Sequence, residues 1–207
     1  MSVLDLSKLR RTPLVKDPFE YCIVSDFIDA GALDRIERDF PQIEQGGSFP
    51  LTNLQYGRGF QELVDALLDS QTRSAFGEYF GIDLANRPPT LTVRGRARTK
   101  DGQIHIDSKT KLITVLIYFN RRWGNAGGCL RLLRSPDDIE DVIVEVPPES
   151  GTLLAFRCRE NAWHGHKPFD GIRRSIQLNW VVDESAAKRS ERRHGWSSLL
   201  KRLRIAG

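Results

Sequence analysis

The stretch Gly171-Ile172-Arg173-Arg174-Ser175-Ile176-Gln177-Leu178-Asn179-Trp180 constrains the fold more than any other part of these 207 residues. It alternates. Arg173, Ser175, Gln177 and Asn179 share one parity, while Ile176, Leu178 and Trp180 share the other. Successive side chains of a strand point to opposite faces, so an apolar core lies on one side and a polar space on the other. A polar face on an inner strand needs partners. An arginine there suits a carboxylate, which its planar fork binds through two parallel hydrogen bonds. Arg174 would point the opposite way, with Ile172 and Ile176.

A second alternating stretch, Gln103-Ile104-His105-Ile106-Asp107, predicts a strand on which His105 and Asp107 face the same way and can grip one ion. One histidine, a carboxylate two residues on and a second, distant histidine form the ligand set of a non-haem Fe(II) centre. The chain has four histidines, at 105, 164, 166 and 194. His194 sits in a charged tail, which leaves His164 and His166 as candidates for the third ligand.

The chain reads as a helical front and a β back. Residues 1–18 form a polar leader with Pro13 and Pro18, and Tyr21-Cys22-Ile23-Val24 is a short apolar strand. Asp29 can cap a helix running to about Phe40 and stopped by Pro41, and residues 41–57 read as a loop. Phe60, Leu63, Val64, Leu67 and Leu68 recur at helical spacing, continuing to Phe76 and Phe80. From about Leu91 the pattern turns to strands. This predicts a mainly β chain with flanking helices (α+β): a single domain over 1–183, with helical support at about 26–81 and a β core at about 88–183.

Residues 184–207 carry seven Lys/Arg against Glu184 and Glu191, a charge of +5, so a chain of net +4 leaves its first 183 residues at −1. That near-neutral body lacks the broad basic groove of a nucleic-acid enzyme, and no nucleic-acid partner is expected. In the tail, Trp196, Leu199, Leu200 and Leu203 recur at helical spacing. The expectation is a basic amphipathic helix packing on its own domain or a second copy, with peripheral contact to an anionic membrane as the alternative. No apolar run approaches 18 residues, so no transmembrane segment is expected. The first residues do not read as a signal peptide. Three widely spaced cysteines suit a reducing cytoplasm better than a disulfide framework.

Six landmarks in order resemble the Fe(II)/2-oxoglutarate-dependent dioxygenases, within them the prolyl-hydroxylase-like group. They are His105-x-Asp107, the strand Thr114–Asn120 ending Tyr118-Phe119-Asn120, Gly127-Gly128-Cys129-Leu130-Arg131, the segment Pro148–Phe156 with Gly151, then His164 and Arg173. The resemblance covers about Leu91 to Val182 and implies a double-stranded β-helix, a jelly roll with the metal between two facing sheets. By it, His105, Asp107 and His164 hold Fe(II). His164 is preferred to His166 because Pro168 follows it by four residues and Arg173 by nine, as in the family. Arg173 and Tyr118 would hold the distal carboxylate of 2-oxoglutarate. The implied cofactors are Fe(II), 2-oxoglutarate and dioxygen, and the implied chemistry is hydroxylation coupled to decarboxylation of 2-oxoglutarate to succinate and CO2. A carboxylate at 107 argues against halogenation.

For substrate, His166, Arg96 and Arg98 are the candidate contacts. Arg94, Arg96 and Arg98 share strand parity, and a face lining the mouth would favour a phosphorylated or carboxylated substrate. The preferred substrate is a small molecule or glycan precursor. The alternatives are a protein residue of the prolyl type and a catalytically silent jelly-roll binding module.

Overall fold

Residues 2–192 are described in the structure, a computed structural model. Nine strands carry the fold: β1 (Tyr21–Val24), β2 (Phe49–Pro50), β3 (Pro89–Ala97), β4 (Lys111–Tyr118), β5 (Leu130–Leu133), β6 (Val142–Val146), β7 (Leu153–Arg157), β8 (Trp163–Gly165) and β9 (Gly171–Val181). Six form an antiparallel sheet in the order β1-β7-β4-β9-β3-β2, and three form a second sheet, β6-β5-β8. This is the expected jelly roll.

Strand alternation sorts the large sheet into two faces. Ile176, Leu178 and Trp180 of β9, with Ile113, Val115 and Ile117 of β4, belong to the main apolar cluster. Helices α2 (Ala30–Arg38), α3 (Arg58–Leu68) and α4 (Ser70–Phe80) contribute Ile36, Phe60, Leu63, Leu67 and Phe76 to that cluster. The Phe76 ring lies 5.3 Å from that of Trp180, centroid to centroid. On the opposite face, Tyr21, Tyr118, Leu154 and Phe156 join Leu130, Leu132 and Val146 of the small sheet. Between these apolar residues the polar ones of β9 find their cavity.

The expected cap holds: Asp29 accepts from the Ala32 amide at 3.1 Å. Three local expectations need correction. The leader contains helix α1 (Leu6–Arg11), capped by Asp5, with Leu9 fully buried; its two prolines both follow the helix and do not prevent it. The helical run from Phe60 to Phe80 breaks at Asp69, which ends α3 and caps α4 by accepting from Gln71. The 41–57 segment is not only a loop, because Phe49 and Pro50 pair with Thr92 and Val93 of β3.

Residues 184–192 are helical, and Ala186 and Ala187 pack beside Val181. The rest of the expected basic helix, with His194 and Trp196 onward, lies outside the described residues. Among those described, no helix is long and apolar enough to cross a membrane.

Candidate active site

His105, Asp107 and His164 each offer a ligand atom, and these atoms all lie within 4.8 Å of one another. Residues 103–107 do not form the expected strand. His105 makes a single bridge to His164, its amide donating to the His164 carbonyl at 3.0 Å and its carbonyl accepting from the His164 amide at 2.9 Å. The two histidines are thus yoked backbone to backbone, and their rings stand 4.3 Å apart. Each ring is also oriented from behind. Nδ1 of His105 lies 2.8 Å from the Gln103 carbonyl and Nδ1 of His164 3.0 Å from that of Ala162. A carbonyl accepts only, so Nδ1 carries the proton and Nε2 is left as the free lone pair for a metal. Burial pushes His164 down to about 4, partly offset by Asp107, so its imidazole is neutral, as ligation requires.

Asp107 is held from both sides. Lys111 donates to Oδ1 at 2.7 Å, and the Thr114 hydroxyl donates to Oδ2 at 2.5 Å. Burial would raise this carboxyl, but Lys111, His164 and the two hydrogen bonds outweigh it and hold it at about 2. Behind Thr114 the chain of bonds continues, from Asn179 Nδ2 to Thr114 Oγ1 at 2.7 Å and from Gln177 to Asn179 at 3.0 Å. Sequence parity put Gln177 and Asn179 on the cavity side, but nothing in it tied them to Asp107.

The triad opens into a cavity of about 470 Å³, within the size range of small-ligand sites. Ser175, Gln177 and Asn179 line it with Thr92, Arg94, Lys111, Leu116, His166 and Arg173. Arg173 is buried, its Nε donates to the Gly128 carbonyl at 2.7 Å, and its guanidinium carbon lies 5.4 Å from the centre of the Tyr118 ring. That bond uses one of the five N–H donors of the fork. Gly128 has φ +82°, a conformation that glycine adopts without strain. Tyr118 is fully buried, and its hydroxyl has no hydrogen-bond partner among the described residues. A buried hydroxyl without a partner beside a buried arginine is poorly satisfied unless an anion completes both. The donor set of the triad and this orphaned hydroxyl fit a divalent metal and a carboxylate-bearing ligand respectively.

Arg174 lies on the other face, 5.5 Å from the Phe40 ring. His166 lines the cavity, and burial, with Arg173 nearby, pushes it down to about 4. The arginine that reaches the cavity is Arg94, not Arg96 or Arg98. The pairing of β3 with β9 shifts register between Arg94 and Arg96, so Arg94 lies opposite the inward Ser175 while Arg96 lies opposite the exposed Ile172. Arg96 meets Asp170 at 2.5 Å, and Arg98 bonds Asp101 at 3.3 Å. Arg131 of the Gly-Gly motif is taken up by Glu140 and Glu145, away from the cavity.

A jelly roll with two histidines and a carboxylate converging between its sheets defines a mononuclear non-haem metal enzyme. The chain matches the family model of the 2OG-Fe(II) oxygenase superfamily over residues 95–182. It is a 2-oxoglutarate-dependent iron dioxygenase using Fe(II), 2-oxoglutarate and dioxygen. No curated protein sequence matches it significantly. Among solved structures, a prolyl-4-hydroxylase from Pseudomonas putida is similar at TM-score 0.55 and 15% identity, over 86% of this chain and 91% of that one. A viral collagen prolyl hydroxylase from Paramecium bursaria Chlorella virus-1, in complex with 2OG, gives 0.55 and 15%, over 82% and 98%. AviO1 from Streptomyces viridochromogenes Tue57 gives 0.51 and 14%, over 89% and 98%. At these identities the likeness is one of fold.

Proposed function

We propose that this chain hydroxylates a small molecule or glycan precursor. In this reading His105, Asp107 and His164 hold Fe(II), and Arg173 with Tyr118 holds the distal carboxylate of 2-oxoglutarate. The observation that carries it is the triad beside the buried, unpartnered Tyr118 hydroxyl in one cavity. When bound, Fe(II) would activate dioxygen, the oxidant, while 2-oxoglutarate would supply two electrons through its decarboxylation to succinate and CO2. The chain's own residues do the rest. Gln103 and Ala162 carbonyls fix the two imidazoles, Thr114 and Lys111 fix Asp107, and Arg173 and Tyr118 orient the co-substrate. The polar cavity, at about 470 Å³, supports a small substrate. We further assign residues 1–183 to one oxygenase domain and place the enzyme in the cytoplasm, where its three free cysteines are compatible with a reducing environment.

The test is anaerobic visible absorption as Fe(II) and then 2-oxoglutarate are added. A metal-to-ligand charge-transfer band is expected in the wild type and in His166→Ala, but not in His164→Ala. A folded wild type with no band would leave only a silent binding module. Succinate release stimulated by a peptide pool but not by metabolites would move the substrate to protein.

A further inference from the structure

The cavity holds more positive charge than its cofactors neutralise. Arg94, Lys111 and Arg173 line it, against one lining carboxylate, Asp107. Behind Arg94 stands Asp101, which also serves Arg98: it accepts from Arg94 at 2.9 Å and from Arg98 at 3.3 Å. Among the described residues, four cations thus face two carboxylates, an excess of two positive charges. A divalent metal and a doubly charged 2-oxoglutarate cancel formally, so the excess survives loading.

Lys111 makes the imbalance local. Its side chain is 14% exposed, and its ion pair is to Asp107, at 2.7 Å. A metal drawing on Asp107 competes for that charge and brings two more positive charges close to the ammonium. Like charges in a partly desolvated site repel, and a desolvated charge without a counter-ion is costly. Arg94 is similarly short of charge, sharing its carboxylate with a second arginine and reaching otherwise to the Ser48 hydroxyl at 3.4 Å. Uncharged hydrogen-bonding groups flank it, with Thr92 paired opposite Gln177 in the next row of the sheet.

Building on the oxygenase reading, we propose that the substrate is an anionic small molecule, bearing phosphate or carboxylate, anchored by Lys111 beside the metal and by Arg94. Both anions supply oxygen acceptors for an ammonium and a guanidinium.

The experiment is calorimetric titration of the full chain, loaded anaerobically with Fe(II) and 2-oxoglutarate, using glycerol 3-phosphate, isophthalate and glycerol as probes. At least one anion should bind, and glycerol should not. Lys111→Met and Arg94→Gln should each weaken that binding about tenfold, whereas Lys111→Arg should hold it within about threefold, because the charge remains. Preference for the phosphate ester or for the dicarboxylate decides between the two anions. A loaded wild type that shows the charge-transfer band but binds neither anion, or binds equally in Lys111→Met and Arg94→Gln, overturns this proposal alone. Absence of the band in the wild type overturns the oxygenase reading beneath it.

Discussion

Thr114→Val tests how Asp107 is held. Thr114 is 1% exposed, and valine keeps its shape while deleting the hydroxyl. That hydroxyl donates to Asp107 Oδ2 and accepts from Asn179 Nδ2 at 2.7 Å. A hydrogen bond to a charged group contributes about 1.5–3 kcal/mol. The substitution also leaves the Asn179 amide with only the Ile113 carbonyl at 3.4 Å, near the limit of a useful bond. With about 1.4 kcal/mol per tenfold, a loss falling wholly on the metal-bound form weakens Fe(II) binding roughly 10- to 100-fold. That is the range typical of residues that orient metal ligands from behind. The same bond exists without metal, so any shared part appears as lost stability, at about 2–4 °C of melting temperature per kcal/mol for a chain this size. Anaerobic Fe(II) titration measures the first quantity and thermal unfolding of the metal-free protein the second. An Fe(II) affinity within about twofold of wild type would refute the reasoning, whatever the melting temperature does.

Tyr118→Phe should weaken 2-oxoglutarate binding about tenfold, by loss of one charge-assisted hydrogen bond, and leave Fe(II) affinity intact; paired titrations separate the two. Leu9→Ala should cost roughly 2–5 kcal/mol in chemical denaturation, because helix α1 buries this leucine completely; a cost near zero would mean that the leader is not part of the fold. Glu20 is held below the ordinary glutamate value chiefly by its hydrogen bond from Arg159, with Arg157 adding to it. Its stabilisation is therefore complete above that ordinary value and fades as pH falls through the lowered one. Glu20→Gln should flatten the acid side of a melting-temperature profile, and an unchanged acid limb would count against the pairing.

Much of the site was legible because strand parity is a physical rule that sequence obeys. From Ser175 to Trp180 the odd residues of β9 are polar and the even ones apolar, and the structure puts Ser175, Gln177 and Asn179 in the cavity and Trp180 under the helices. Parity fails where the backbone departs from a regular ladder. The one hint of the register shift that separates Arg94 from Arg96 is Gly95 between them, a residue that marks strand irregularities without fixing the new register. Likewise His105 and Asp107 converge without a strand beneath them, through a bridge to His164 more than fifty residues away. Lys111 left no signal either, because it reaches Asp107 across the turn closed by its own amide on the Ser108 carbonyl.

The register also explains how one sheet can place two cofactors. Rows cross from β4 through β9 to β3: Thr114–Asn179–Thr90, then Leu116–Gln177–Thr92, then Tyr118–Ser175–Arg94. The first row grips Asp107 and so the metal end, and the last carries the Tyr118 hydroxyl beside Arg173. Four strand residues separate them, about 13 Å of backbone, which the inward-reaching side chains shorten. That spacing is fixed by covalent geometry and by hydrogen bonds to both neighbouring strands, so it does not adjust to a longer or shorter acid. On the proposed reading, selectivity for the length of the 2-oxo acid rests on this fixed spacing of β4 and β9. On the same reading, the substrate is met by Lys111 at the start of β4 and by Arg94 at the end of the last row, where β3 shifts.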